Sequence, residues 1–184
     1  MSVTDGYLKT EGLTGTDKQF DDKLTSGLAW DLAFHHYIKN FGWGIFYSGY
    51  SSDSYYEKTN MDHNVLFSYI APLFCTKYSF NKKWMINGEV GVGYLKFSDK
   101  ISSGIEKGKT YVSTVGFNYG IGIEYKLNKH MGIGISFNEI VGSAFLKNIK
   151  MENVHSIIAY NDYDRINLNR LNLLGGIRFY FGDR

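Results

Sequence analysis

From Val115 to Leu127 the chain alternates without interruption. Val115, Phe117, Tyr119, Ile121, Ile123, Tyr125 and Leu127 take the odd positions; Gly116, Asn118, Gly120, Gly122, Glu124 and Lys126 take the even ones. Successive side chains of an extended chain point to opposite faces, so this period of two builds a strand with one bulky apolar face and one small or polar face. After a short polar break the pattern resumes with Met131, Ile133, Ile135 and Phe137 set against Gly132, Gly134, Ser136 and Asn138. Two such runs joined so closely predict a β-hairpin.

The second face decides which solvent the first one meets. A water-soluble barrel turns its apolar side inward and covers its outside with Lys, Glu, Asp and Thr, whereas here the second face is mostly glycine with a few polar groups. Glycine suits a crowded interior where strands curve and side chains from opposite walls share little space. The bulky face is then expected outside, which is tolerable where the outside is lipid.

Composition agrees with an all-β chain of one domain spanning residues 1–184. Aromatic residues make up 17%, with 15 Tyr and 21 Gly against a single Pro, a balance that favours strands. A mean hydropathy of −0.25 does not argue against a membrane barrel, because such a barrel meets lipid with alternate residues only. No run of 18 apolar residues is present, so no membrane helix is predicted. A net charge of +2 is too small to point to nucleic acid. The lone Cys75 excludes an internal disulfide framework and reads as a small buried hydrophobe.

The same alternation marks further strands along the chain. Leu24, Leu28, Trp30, Leu32, Phe34 and Ile38 are expected outward, with Gly27, Ala29, Asp31 and Ala33 inward. A strand over 43–51 follows, and then one over 65–80 with Leu66, Ile70, Pro72, Phe74 and Tyr78 outward. Pro72 cannot donate to a ladder and predicts a bulge. Strands over 84–97 and 166–181 complete the set, the last with Leu171, Leu173, Ile177, Phe179 and Phe181 outward. Seven strands are clear. Residues 1–23 are read as polar loop, with a weak strand near Tyr7 to Leu13. Short turns at 39–42, 81–83 and 128–130 alternate with predicted long loops at 52–62, 99–110 and 143–164. Segments 144–149 and 154–160 resist assignment.

The alternating long and short connections, the strands GEVGVGYLKF and NYGIGIEYKLN, and the terminal LLGGIRFYF resemble those of the small OmpA/OmpX-type outer-membrane β-barrels, over roughly residues 24–181. The resemblance implies an antiparallel up-and-down transmembrane barrel of about eight strands in the bacterial outer membrane. It further implies contact with outer-membrane lipid, insertion by a barrel-assembly machinery, and an extracellular surface ligand met by the long loops. Two departures stand out: Gly182, Asp183 and Arg184 follow the terminal Phe181, and seven strong strands stand where eight are implied. An open edge in lipid is costly, so either residues 1–23 supply a poor first strand, or a leader and about ten residues of first strand lie upstream of Met1.

The chemistry-bearing residues fall into two groups. Asp31, Lys77, Glu89, Glu124, Lys126, Arg170 and Arg178 are predicted to face the lumen. Their mixed signs allow mutual pairing, which favours a salt-bridged plug over a proton or ion path. Tyr55, Tyr56, Asp162 and Tyr163 lie in predicted long loops and suit a recognition surface, tyrosine giving contact area at low entropic cost; an aromatic membrane rim is the plainer reading. His35 and His36 are adjacent and must face opposite sides, so they cannot form a metal pair, while His63, His130 and His155 fall in predicted connections. Asn161 to Asp164 lack calcium-loop spacing, and no cofactor is implied. Ser136, Phe137, Asn138 and Glu139 have no neighbouring histidine to activate a nucleophile, so no catalysis is expected. The alternative is a soluble lipocalin-like barrel holding a small apolar ligand, which requires Ile121, Ile123, Ile133 and Ile135 to be buried.

Overall fold

The computed structural model describes residues 2–4, 26–56, 61–103, 106–145, 150–152 and 165–181. Among them every regular element is a strand: β1 (Ser2–Thr4), β2 (Ser26–Ile38), β3 (Phe41–Tyr56), β4 (Met61–Ser79), β5 (Trp84–Ser103), β6 (Glu106–Lys126), β7 (Met131–Phe145), β8 (Lys150–Glu152), β9 (Arg165–Asn167) and β10 (Arg170–Phe179). The seven long strands run antiparallel, each beside its sequence neighbour, in one curled up-and-down sheet. β9 and β10 pair with β7 in a single register and act as one strand interrupted at 168–169. β8 adds a short ladder to the far end of β6.

β1 joins the two edges of the curled sheet. It pairs with β10 from Ser2↔Asn172 to Thr4↔Arg170 and with β2 at Ser2↔Gly27 and Val3↔Ser26. Paired residues can therefore be followed around the ring, from Gly27 through Ser2, Asn172, Asn138, Gly120, Glu89, Cys75 and Gly42 to Tyr37. The circuit returns to β2 ten residues from its start, an even shift, so inward and outward faces stay in phase. Ten residues at a rise of about 3.3 Å, set against eight spacings of about 4.8 Å, tilt the strands by about 41° and give a radius of about 8 Å. Each residue then advances about 2.5 Å along the barrel axis.

Facing follows the alternation. Ile121, Ile123, Ile133 and Ile135 are 58%, 41%, 46% and 59% exposed, while Asn118, Asn138 and Asn172 on the opposite faces are buried. Exposed large apolar residues run from Val115 on β6 to Leu127 just past its end and from Leu28 to Ile38 on β2, a belt about 25–30 Å tall at this tilt. At its lower rim, aromatic pairs cluster beside the turns: Phe41 with Phe74, Tyr78 with Phe80, and Trp84 with Tyr125.

Three tight turns bound that rim. Lys39 adopts φ 61° between β2 and β3, the positive φ a two-residue hairpin needs. The other two share one construction: Asn81 Oδ1 accepts from the amides of Lys83 and Trp84, and Asn128 Oδ1 from those of His130 and Met131. In each case the side chain replaces a ladder bond that the turn forgoes.

Several expectations are corrected. The segments 52–62 and 99–110 are mostly ladder rather than loop: β3 and β4 stay paired out to Tyr56↔Met61, and β5 and β6 to Ser103↔Glu106. Backbone pairing continues there although apolar alternation has stopped, so the hairpins protrude beyond the apolar belt. Pro72 makes no bulge. β4 and β5 keep one register on both sides of it, from Ile70↔Tyr94 to Leu73↔Gly91, and the two intervening pairs drop out of the ladder. Close approach is preserved by Gly93, where a Cβ would lie 2.1 Å from the Ile70 carbonyl oxygen. The strand found near the N-terminus is Ser2–Thr4; Tyr7 to Leu13, Leu24 and 154–160 lie outside the described residues.

Candidate functional site: the filled lumen and the protruding rim

The lumen divides into a polar zone near the turns and an apolar zone toward the protruding hairpins. In the polar zone one chain of hydrogen bonds ties five strands together. Arg178 on β10 pairs through Nε with Glu124 Oε1 on β6 at 2.9 Å and donates from Nη1 to His35 Nδ1 on β2 at 2.8 Å. Because Nδ1 accepts, the imidazole proton sits on Nε2, which donates to Glu89 Oε2 on β5 at 3.0 Å. Asn138 on β7 donates to the other oxygen of Glu89 at 3.2 Å. Glu124 also accepts from Asn87 and, at 2.9 Å, from the Tyr180 hydroxyl. Both carboxylates are thereby engaged at both oxygens, the condition under which buried charges are tolerable.

A second group lies farther along β2 and β10, toward the hairpins. Arg170, 1% exposed, donates to Ser48, which donates to Asp31, and the Arg170 to Asp31 separation is 3.9 Å. The guanidinium stacks over Phe67 and Tyr50, with 4.6 and 5.6 Å to the ring centroids. Tyr69 donates to Asn118 Oδ1 at 3.0 Å, linking β4 to β6. Lys77 lies over the Tyr37 ring and Lys126 over that of Tyr180 near the turn-side mouth. All seven charged residues predicted for the lumen thus face it, six of them in ion pairs or ring contacts and Glu89 through His35 and Asn138. Sequence reasoning did not list Ser48 or Tyr180 among the lumen groups and did not give His35 its bridging place, although parity alone turns His35 inward.

Toward the hairpins the interior is apolar, which the expected polar lumen did not include. Phe46, Tyr50, Val65, Phe67, Leu95, Phe97, Val112, Ile140, Ala144 and Leu168 form one buried cluster. In this zone neighbouring residues are both bulky, as at Phe46–Tyr47, Leu66–Phe67 and Tyr94–Leu95, so parity turns Phe67 and Leu95 inward as found, but no contrast between the two faces marks the interior there as distinct.

At the rim, Tyr55 and Tyr56 belong to the end of β3 rather than to a loop, paired with Asp62 and Met61. Asp162 and Tyr163 lie outside the described residues, as do Asn161, Asp164 and His155. His63 is a correction: it sits in β4, with Nδ1 2.8 Å from Asp99 Oδ2 on β5, because the ladder extends past the apolar belt. His36 faces outward onto Trp43. Ser136 points inward, whereas Glu139 faces out and accepts from the Tyr119 hydroxyl, so no serine and carboxylate pair assembles there. Cys75 is fully buried. Among the described residues no group of three or more His, Cys, Asp or Glu is placed to hold a metal ion.

No protein-family model matches the chain, and no similar curated protein or solved structure was found.

Proposed function

We propose that this chain is a bacterial outer-membrane β-barrel of the small OmpA/OmpX type. In this reading its role is structural or adhesive, carried by the protruding hairpins, and its lumen neither conducts nor catalyses. The observation that carries it is the exposed apolar belt, about 25–30 Å tall, rimmed by aromatic pairs at the turn side. A belt of that height matches the lipid-facing band of such barrels, and water gives no reason to expose so many Ile, Leu, Phe and Trp side chains contiguously. The filled lumen supports the absence of conduction, since a barrel of about 8 Å radius has room for side chains and little else. Insertion by a barrel-assembly machinery and contact with outer-membrane lipid follow from the same reading. The lipocalin-like alternative needs Ile121, Ile123, Ile133 and Ile135 around an internal cavity, and all four are outside.

Electrophoresis of protein refolded in detergent, with and without boiling, tests the proposal. A closed lipid-type barrel resists mild detergent and migrates differently once heated. Identical migration would count against it.

A further inference from the structure

Charge is unevenly shared between the two ends of the barrel. The turn-side segments 38–43, 77–84, 125–131 and 178–181 hold six lysines, Lys39, Lys77, Lys82, Lys83, Lys126 and Lys129, and no Asp or Glu. Lys39, Lys82, Lys83 and Lys129 are exposed at the three turns, whereas the Glu124 carboxylate beside this end is buried and engaged by Arg178, Asn87 and Tyr180. At the hairpin end the signs mix, with Asp53 and Asp62 exposed alongside Lys96 and Lys100. Each exposed turn lysine also stands within two residues of an exposed apolar side chain: Lys39 of Phe41, Lys82 of Phe80, Lys83 of Trp84 and Lys129 of Leu127. At about 2.5 Å per residue, each is rooted within about 5 Å of the edge of the apolar belt. Lys83 is held there, its Nζ 5.6 Å from the centroid of the Tyr125 ring, which itself packs on Trp84.

We propose that this basic rim is a docking surface for the headgroups of anionic phospholipids in the turn-side leaflet. The inference rests on the proposed membrane setting and names the lipid class that setting leaves open. A lysine stem lies along apolar surface while its ammonium reaches water, so ammonium groups rooted beside the aromatic rim sit at the level of lipid phosphates. Around a barrel of about 8 Å radius, turns two strands apart stand about 11 Å from one another. The lysines therefore meet separate headgroups rather than converge on one small anion. With no Asp or Glu in these segments to offset them, they favour a headgroup of net negative charge over a zwitterion, whose own ammonium they repel. Attraction of about fivefold per lysine near an anionic surface is enough to sort the lipids that line this end of the wall.

Tryptophan quenching tests this on the full chain refolded in vesicles of equal parts phosphatidylcholine and phosphatidylglycerol, one of the two brominated near the headgroup end of its chains. A variant keeping Trp84 alone reads the turn-side rim, and one keeping Trp30 alone reads the wall about 20 Å higher. Trp84 should report a preference of about fivefold or more for phosphatidylglycerol, and Trp30 none. The preference should fall to near unity at about 1 M salt and when Lys39→Asn, Lys82→Gln, Lys83→Gln and Lys129→Gln are combined, asparagine tolerating the positive φ at residue 39. Equal quenching of Trp84 by both lipids would overturn the proposal, as would a preference that survives the four substitutions or appears equally at Trp30. Inorganic phosphate added at constant ionic strength should leave the preference in place; its loss would assign the lysines to free phosphate and overturn the headgroup reading. Quenching of Trp30 by either lipid keeps the membrane setting standing where selectivity fails, whereas no quenching at either tryptophan would sink both.

Discussion

Replacing Ile121 by arginine separates a wall that faces lipid from one that faces water. Ile121 is 58% exposed and points away from the lumen, so the substitution fills no core space and breaks no hydrogen bond. Against water it should cost less than about 0.5 kcal/mol. Against lipid its depth decides: at about 2.5 Å per residue along the axis, Ile121 sits about 10 Å above Tyr125 at the turn-side rim and about 15 Å below Val115 at the other, close to the middle of the belt. Arginine at that depth costs about 2–4 kcal/mol, roughly a 30- to 900-fold change in the unfolding equilibrium. Ser113→Arg, on the same face but beyond the belt, should cost about 0–1 kcal/mol. Urea unfolding in phosphatidylcholine vesicles, followed by tryptophan fluorescence, measures both. Equal effects within about 0.5 kcal/mol would refute the assignment of this face to lipid.

Glycine substitutions should divide by what their Cβ meets. Gly93→Val drives a side chain onto the Ile70 backbone carbonyl and should cost more than about 2 kcal/mol or block refolding, while Gly175→Val, facing open space, should leave the urea midpoint unchanged. Arg178→Ala strips Glu124 and His35 of their shared donor; with the Arg178 side chain 30% exposed, the loss should be about 3 kcal/mol, at the low end for a broken buried pair, and Arg178→Lys should recover only part of it. Planar-bilayer recordings on refolded wild-type protein should show at most rare, small openings. Steady conductance of porin size would contradict the proposed role of the hairpins and point to the lumen instead.

Much of the barrel was legible because lipid-type alternation is redundant: Ile121, Ile133 and Leu173 each repeat the message of their neighbours, and parity alone turns Asn118, Glu124 and Arg178 inward. The lumen charges could be listed on that basis, but their pairing could not. It depends on the ten-residue displacement around the ring, which brings His35 near Glu89 and Arg178 and which no local pattern encodes. The apolar half of the lumen was hidden for another reason. Where the wall leaves the belt both of its faces are bulky, so the parity that sets Leu66 and Tyr94 outward turns Phe67 and Leu95 inward without showing that these inward groups gather into one apolar zone. The protruding hairpins look like loops in the sequence because polar residues such as Asp53 and Asp99 end the hydrophobic signal while backbone pairing continues. At Pro72 the missing donor predicts a defect, whereas Gly91 and Gly93 let the adjacent strand keep its register.

The central claim, that the bulky face meets acyl chains, is tested most directly by fluorescence quenching in vesicles. Trp30 and Trp43 are 52% and 53% exposed within the belt, and Trp84 is 40% exposed at its lower rim. In variants retaining one tryptophan each, lipids brominated along the acyl chain should quench Trp30 and Trp43 strongly, while aqueous acrylamide should reach Trp84 best. Strong acrylamide quenching of Trp30 and Trp43 with no effect of brominated lipid would contradict the account.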